Sequence, residues 1–169
     1  MTRSPSRSPS AAATPPAPAD PPAAPPAGAF TPTLPDIGLV LIRIMLGIVG
    51  FYHGGGKLFG LFGGPSPSGF AKFLEMKHVP LSLLSAYLAG AAEFFGGLCI
   101  LLGLVTPAAA ALFAFNMLVA FFLGHGGRFD TNKEGGEYAL TLCVVAGGLM
   151  FTGPGRLSLD AHIWKKNPL

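Results

Sequence analysis

Four long stretches of the chain, residues 37–52, 81–104, 107–124 and 138–151, carry only two charges between them, Arg43 and Glu93. About 20 residues cross the hydrocarbon core of a bilayer, so the second run is ample and the third adequate. The first and fourth are short. Each reaches the needed length when a polar flank joins the helix: His53 to Lys57 extends the first, and Glu137 begins the fourth. Only helices and closed barrels satisfy every peptide group in lipid, and uninterrupted apolar runs lack the alternation of barrel strands. The pattern predicts an all-α, integral membrane four-helix bundle.

The connections support this threading. Residues 63–68 are rich in turn formers, and Ser68 is placed to N-cap a short amphipathic helix reaching His78. Phe70, Phe73 and Leu74 would face the membrane surface or the bundle, with Lys72 and Lys77 toward water. Thr106 and Pro107 form a tight connection with the proline in a first helical turn, which makes the second and third spans antiparallel neighbours.

Ahead of the bundle, residues 1–35 are nearly all Pro, Ala, Ser and Thr, with Arg3, Arg7 and Asp20 as the only charges. Such a segment buries too little apolar surface to offset its ordering entropy. It reads as a disordered tail preceding one membrane domain over residues 36–164. It also lacks the continuous apolar core of a secretory signal, so the first span is expected to act as an uncleaved insertion signal.

Charged residues make up 11% of the chain, against about a quarter in soluble domains. The net charge of +3 comes from Lys and Arg at the ends of apolar runs. There is no basic stripe with interleaved aromatics, so nucleic acid is not an expected partner and the lipid bilayer is. An even number of spans puts both termini on one side. Arg156, Lys165 and Lys166 favour a cytoplasmic location for them, although Lys57, Lys72, Lys77, Arg128 and Lys133 almost balance the bias from the other side. Cys99 and Cys143 sit in separate apolar runs without CxxC or metal-ligand spacing, and read as small hydrophobes; no metal site is expected.

Candidate chemistry lies in the polar residues of the apolar runs. Arg43, Gly47, Gly50, Gly54 and Lys57 recur at alternating steps of four and three and form one stripe on a helix. Its glycines allow a second helix to approach closely. Ala86, Gly90, Glu93 and Gly97 make a matching face on the second span. A charge at mid-membrane costs roughly 2.5 to 3.5 kcal/mol on insertion scales, so Glu93 is either protonated or matched to a cation. Arg43, about 9 Å inside its own end of the first span at 1.5 Å per residue, is the expected partner. Asp160 competes for it.

Antiparallel threading also gathers His53, Lys57, His125 and Glu137 at one interface, where a histidine among cations and carboxylates can titrate. The same residues admit a packing role, because buried ion pairs can simply fix helix register. Asn116, in the middle of the third span, reads as an interhelical hydrogen-bond donor. No P-loop, dinucleotide fingerprint, nucleophile elbow or zinc-protease helix is present.

Several separated motifs occur in order: Arg43 with Leu46 and Gly47, His53-Gly54, Lys57-Leu58 with Gly60, Ala92-Glu93 with Gly96-Gly97, Leu101-Leu102-Gly103 with Thr106, Gly153-Pro154-Gly155, and Ser158-Leu159-Asp160. Together they resemble the DoxX family from about residue 36 to residue 160, and Glu137 falls where the family tends to carry a glutamate. The resemblance implies a four-helix protein of the inner (plasma) membrane in a family labelled as oxidoreductases. Its name-giving relatives belong to a thiosulfate:quinone oxidoreductase, and others associate with thiol-redox or superoxide-detoxifying partners.

A membrane subunit of a redox system is thereby expected, acting with quinone or small thiol or sulfur compounds and with a soluble redox partner protein. Arg43 and Glu93 would organise the interior, while His53, Lys57, His125 and Glu137 would supply protons or hydrogen bonds to the carrier. The sequence carries no identifiable flavin, haem or dithiol site, and quinone is the one cofactor this reading suggests. The alternative is a non-catalytic membrane scaffold or small-molecule permeation module.

Overall fold

A computed structural model describes residues 31–164. Of the tail assigned to residues 1–35, residues 1–30 lie outside the described residues, as do Lys165 and Lys166, while Leu34 and Pro35 already belong to the first helix. Six α-helices follow in order among the described residues: α1 (Leu34–Phe59), α2 (Ser66–Met76), α3 (Ser82–Leu102), α4 (Thr106–Val119, continued by a π-helical turn, Ala120–Gly124), α5 (Glu137–Thr152) and α6 (Leu159–Trp164). No strand occurs among the described residues.

α1 begins where Thr33 donates both its N–H (2.9 Å) and its hydroxyl (2.6 Å) to Asp36, a carboxylate well placed at a helix N-terminus. It continues without a break through His53 to Lys57 and ends at Gly60, whose φ of 69° provides a left-handed cap. The first span is therefore extended as expected. α1, α3 and the continuous helix Thr106–Gly124 are long and apolar enough to cross a membrane. The 16 residues of α5 span only about 24 Å at 1.5 Å per residue.

The glycine stripe of α1 lies directly on α3. Gly47 faces Leu101, Gly50 faces Glu93 and Gly97, and a Cβ at Gly54 would collide with the backbone of Phe94. Close approach replaces the hydrophobic drive that lipid cannot supply. α4 packs against α3 and α5, and Leu46, Val49, Ile100, Phe113 and Leu149 form the shared core. On the outside, Leu41, Ile48, Leu88, Phe115, Val144 and Phe151 are exposed. Apolar surface this extensive on the outer faces of apolar helices is suited to acyl chains rather than water.

α2 differs in detail from expectation. It starts at Ser66, just after Pro65, and ends at Met76, and the Ser68 hydroxyl contacts that of Ser66 (3.2 Å) instead of capping the helix. Leu74 is buried, Phe70 and Phe73 are half-buried, and Lys72 and Lys77 are exposed. Its apolar side rests on α3 and roofs part of the bundle.

Candidate functional site

The two ends of the bundle use their polar residues differently. At one end Arg43, 4% exposed, spends its guanidinium on backbone carbonyls. Nε donates to Ile100 (3.0 Å), Nη2 to Leu101 (2.9 Å), and Nη1 to Pro154 (3.0 Å) and Leu157 (2.7 Å). The carbonyls of a final helical turn have no partner within the helix and form the negative end of its dipole, so a planar fork is satisfied there without a carboxylate. The expected pairing of Arg43 with Glu93 does not form. Arg43 meets the last turn of α3, and Glu93 lies two turns away, level with Gly50.

Asp160 is not the partner of Arg43 either. Its Oδ1 and Oδ2 accept from the N–H groups of Val105 (2.7 Å) and Thr106 (2.9 Å), capping α4, while its own N–H donates to the Gly103 carbonyl (2.8 Å). Gly103 has φ 67°, and a Cβ there would strike Ser158 and the Arg43 guanidinium. Asp36 accepts from the Arg156 N–H (2.9 Å). The motifs around residues 153–160 thus lock one end of the fold.

At the other end Glu93 is 2% exposed. Its Oε1 accepts from the Lys57 ammonium and from the Asn116 amide (3.0 Å). Asn116 is the interhelical donor that its position predicts. Oε2 is buried and has no partner among the described residues. Lys57 also lies 4.9 Å over the Phe70 ring, a distance at which the aromatic face attracts the cation.

Two cavities flank this pair and share Lys57, Glu93, Ala120 and His125. The first, about 170 Å³, lies among α1, α4 and α5 and includes His53, Phe113 and Tyr138. The second, about 380 Å³, lies beneath α2, against α3 and α4, and includes Phe70, Phe73, Asn116 and Leu123. Its size falls within the roughly 300–1,000 Å³ common for small-molecule sites, and an apolar wall with a few convergent polar groups is their usual makeup. The π-helical turn at Ala120–Gly124 places His125 at both cavities. Such bulges are frequent at functional sites. His125 Nδ1 donates to the Glu134 carbonyl (3.0 Å), which in the neutral ring leaves Nε2 as an acceptor.

The structure therefore brings together His53, Lys57, Glu93 and His125. Glu137, half-buried at the start of α5, lines neither cavity, and Arg43 belongs to the other end. Phe70 and Phe73 take the bundle-facing one of their two expected positions, whereas Tyr138 is not among the residues expected at the site, although it lines the first cavity. A phenol in the first turn of α5, next to Glu137, is the signal available for Tyr138. Among the described residues no three His, Cys, Asp or Glu side chains converge to hold a metal ion. Cys99 and Cys143 are free thiols packed beside the core.

A helical bundle with an apolar exterior and a Lys57–Glu93 pair between two cavities defines a small polytopic membrane protein. Its sequence matches the DoxX family profile over residues 38–126. The chain is 32% identical over 135 residues to the Inner membrane protein YqjF of Escherichia coli, covering 79% of this chain and 97% of that relative. It is 30% identical over 131 residues to a Bacillus subtilis protein named "Putative oxidoreductase CatD", covering 77% and 90%. The chain belongs to the DoxX family. No solved structure matches it.

Proposed function

We propose that the protein is the membrane subunit of a redox system and holds a quinone, or a small thiol or sulfur compound, in the cavity beneath α2. The observation that carries this reading is Glu93: a buried carboxylate with one oxygen held by Lys57 and Asn116, the other unpartnered, at the junction of two cavities. The Lys57 ammonium and Asn116 amide are donors suited to a quinone carbonyl oxygen. Phe70, Phe73 and Leu123 suit its ring and tail.

Two-electron reduction of a quinone takes up two protons. His53, His125 and Glu93 are groups able to deliver them, and electrons would come from a soluble redox protein. The setting we propose is the inner (plasma) membrane with both termini cytoplasmic. The oxidoreductase name of the Bacillus subtilis relative agrees with this reading.

The test is gentle purification followed by an absorbance spectrum, extraction of bound lipid-soluble molecules and titration with a short-chain benzoquinone. Bound quinone, with affinity lowered at least tenfold in Glu93→Gln, supports the reading. No quinone binding, or binding indifferent to Glu93→Gln and His53→Ala, removes the site and favours a scaffold whose ion pair only sets helix register.

A further inference from the structure

We propose that the cavity beneath α2 is a proton-coupled site for a small monoanion with an apolar body: the anion takes over Lys57 as its counter-ion while Glu93 takes up one proton. This rests on the reading of that cavity as the carrier site and narrows the chemistry of what enters it. The cavity walls hold one ammonium, Lys57, and one carboxylate, Glu93, which neutralise each other. An added anion would leave an uncompensated negative charge in a membrane interior, where an unpaired buried charge is strongly unfavourable. One proton on Glu93 restores neutrality.

The atoms allow this exchange. A proton on Oε2, the oxygen without a partner, leaves Oε1 able to accept from Asn116. Lys57 lines the second cavity, already 4.9 Å from Phe70, and needs no large movement to meet an anion there. The balance is one anion and one proton in, with the Lys57 ammonium changing partner and no electron moved.

The groups facing Glu93 across the cavities are few. α1 contributes His53 and Lys57, the α4 bulge contributes His125 beside Asn116, and α5 contributes Tyr138. The charged residues of α2, Lys72 and Glu75, and Lys77 just after it, are exposed. The proton therefore enters through the first cavity, whose polar wall is His53, His125 and Tyr138. The apolar body of the anion lies against Phe70, Phe73, Leu74, Val119 and Leu123 in the second. An organosulfur anion and a short fatty acid share this chemistry.

The test is calorimetric titration of the full chain in a non-ionic detergent with hexanesulfonate, which keeps its charge at every working pH. Two buffers of different ionisation heat give the number of protons taken up per anion bound. The expected result is one proton in the parent and none in Glu93→Gln, where the anion meets Lys57 directly. The double variant Lys57→Met with Glu93→Gln keeps a neutral, folded interior and should lose at least tenfold in affinity. Hexanoate in parallel distinguishes the two sources, the tighter binder assigning the class.

Binding without proton uptake in the parent overturns the proposal, as does uptake that persists in Glu93→Gln. If a short-chain benzoquinone binds and neither anion does, this inference fails and the carrier reading stands. Anion binding without quinone binding keeps this inference and removes quinone from the carrier reading, leaving a small anion as the occupant of that cavity.

Discussion

Lys57 stands level with Gly90 on the neighbouring helix and reaches one turn along α3 to the carboxylate of Glu93. The absence of a side chain at Gly90 gives the lysine stem its path. The ammonium is thereby drawn inward from the end of α1 onto a carboxylate whose other partner is the Asn116 amide. With Asn116 as a second donor, the pair joins α1, α3 and α4 at the place where the two cavities meet.

Removing one member of a buried pair leaves the other uncompensated, at a cost of roughly 3–5 kcal/mol, whereas removing both is far milder. Lys57→Met and Glu93→Leu should each lower thermal stability in detergent sharply, and the double variant should recover most of the loss. A loss in the double variant equal to the sum of the two single losses would show that the two side chains do not depend on each other.

Arg43 makes its bonds through three different guanidinium nitrogens, and a lysine ammonium cannot span the same carbonyls. Hydrogen bonds to charged groups contribute about 1.5–3 kcal/mol each. Arg43→Lys is therefore expected to cost at least about 3 kcal/mol and to make the segment around Pro154 and Leu157 more accessible to protease. Quinone affinity of the folded fraction should be unchanged, because this residue is distant from the cavities. A variant of parent stability would contradict the clamp.

Helix α4 begins on the carboxylate of Asp160. Losing an N-terminal cap costs about 0.5–2 kcal/mol, so Asp160→Ala should show a loss in this range by thermal unfolding, and Asp160→Asn a smaller one. A loss confined to ligand binding, with stability intact, would assign this residue to the site instead.

Glycines in α1 and α5 look alike in sequence but differ in surroundings. A methyl at Gly54 would collide with Phe94, while one at Gly147 meets open space. Gly54→Ala should cost about 1–3 kcal/mol through overpacking, and Gly147→Ala should be neutral or slightly stabilising. Comparable melting temperatures for the two would show that α1 and α3 are not in close contact.

Much of the fold is legible in the sequence, because span length and glycine periodicity are local properties. The extension of α1 through Lys57, the start of α5 at Glu137, the stripe of Gly47, Gly50 and Gly54, and the donor role of Asn116 all follow from one helix at a time. The partner of Glu93 does not. It depends on the axial offset between α1 and α3, which places Arg43 beside Leu101 and brings Lys57 within reach instead.

The acceptors that satisfy Arg43 are main-chain carbonyls, which carry no side-chain signature. The roof of Phe70 and Phe73 was readable only as one side of an amphipathic helix, with membrane surface and bundle interior as equal destinations. Tyr138 lines the first cavity while its charged neighbour Glu137 does not, a choice set by the rotation of α5 against α1 and α4 and not by residue type.

The central claim is that Glu93 is a protonatable carboxylate in contact with the bound carrier, and infrared difference spectroscopy reads that carboxyl group directly. Addition of a short-chain benzoquinone to the parent should perturb a glutamate carboxyl band that is absent from the spectrum of Glu93→Gln. Quinone binding that leaves identical difference spectra in the two proteins would contradict the account.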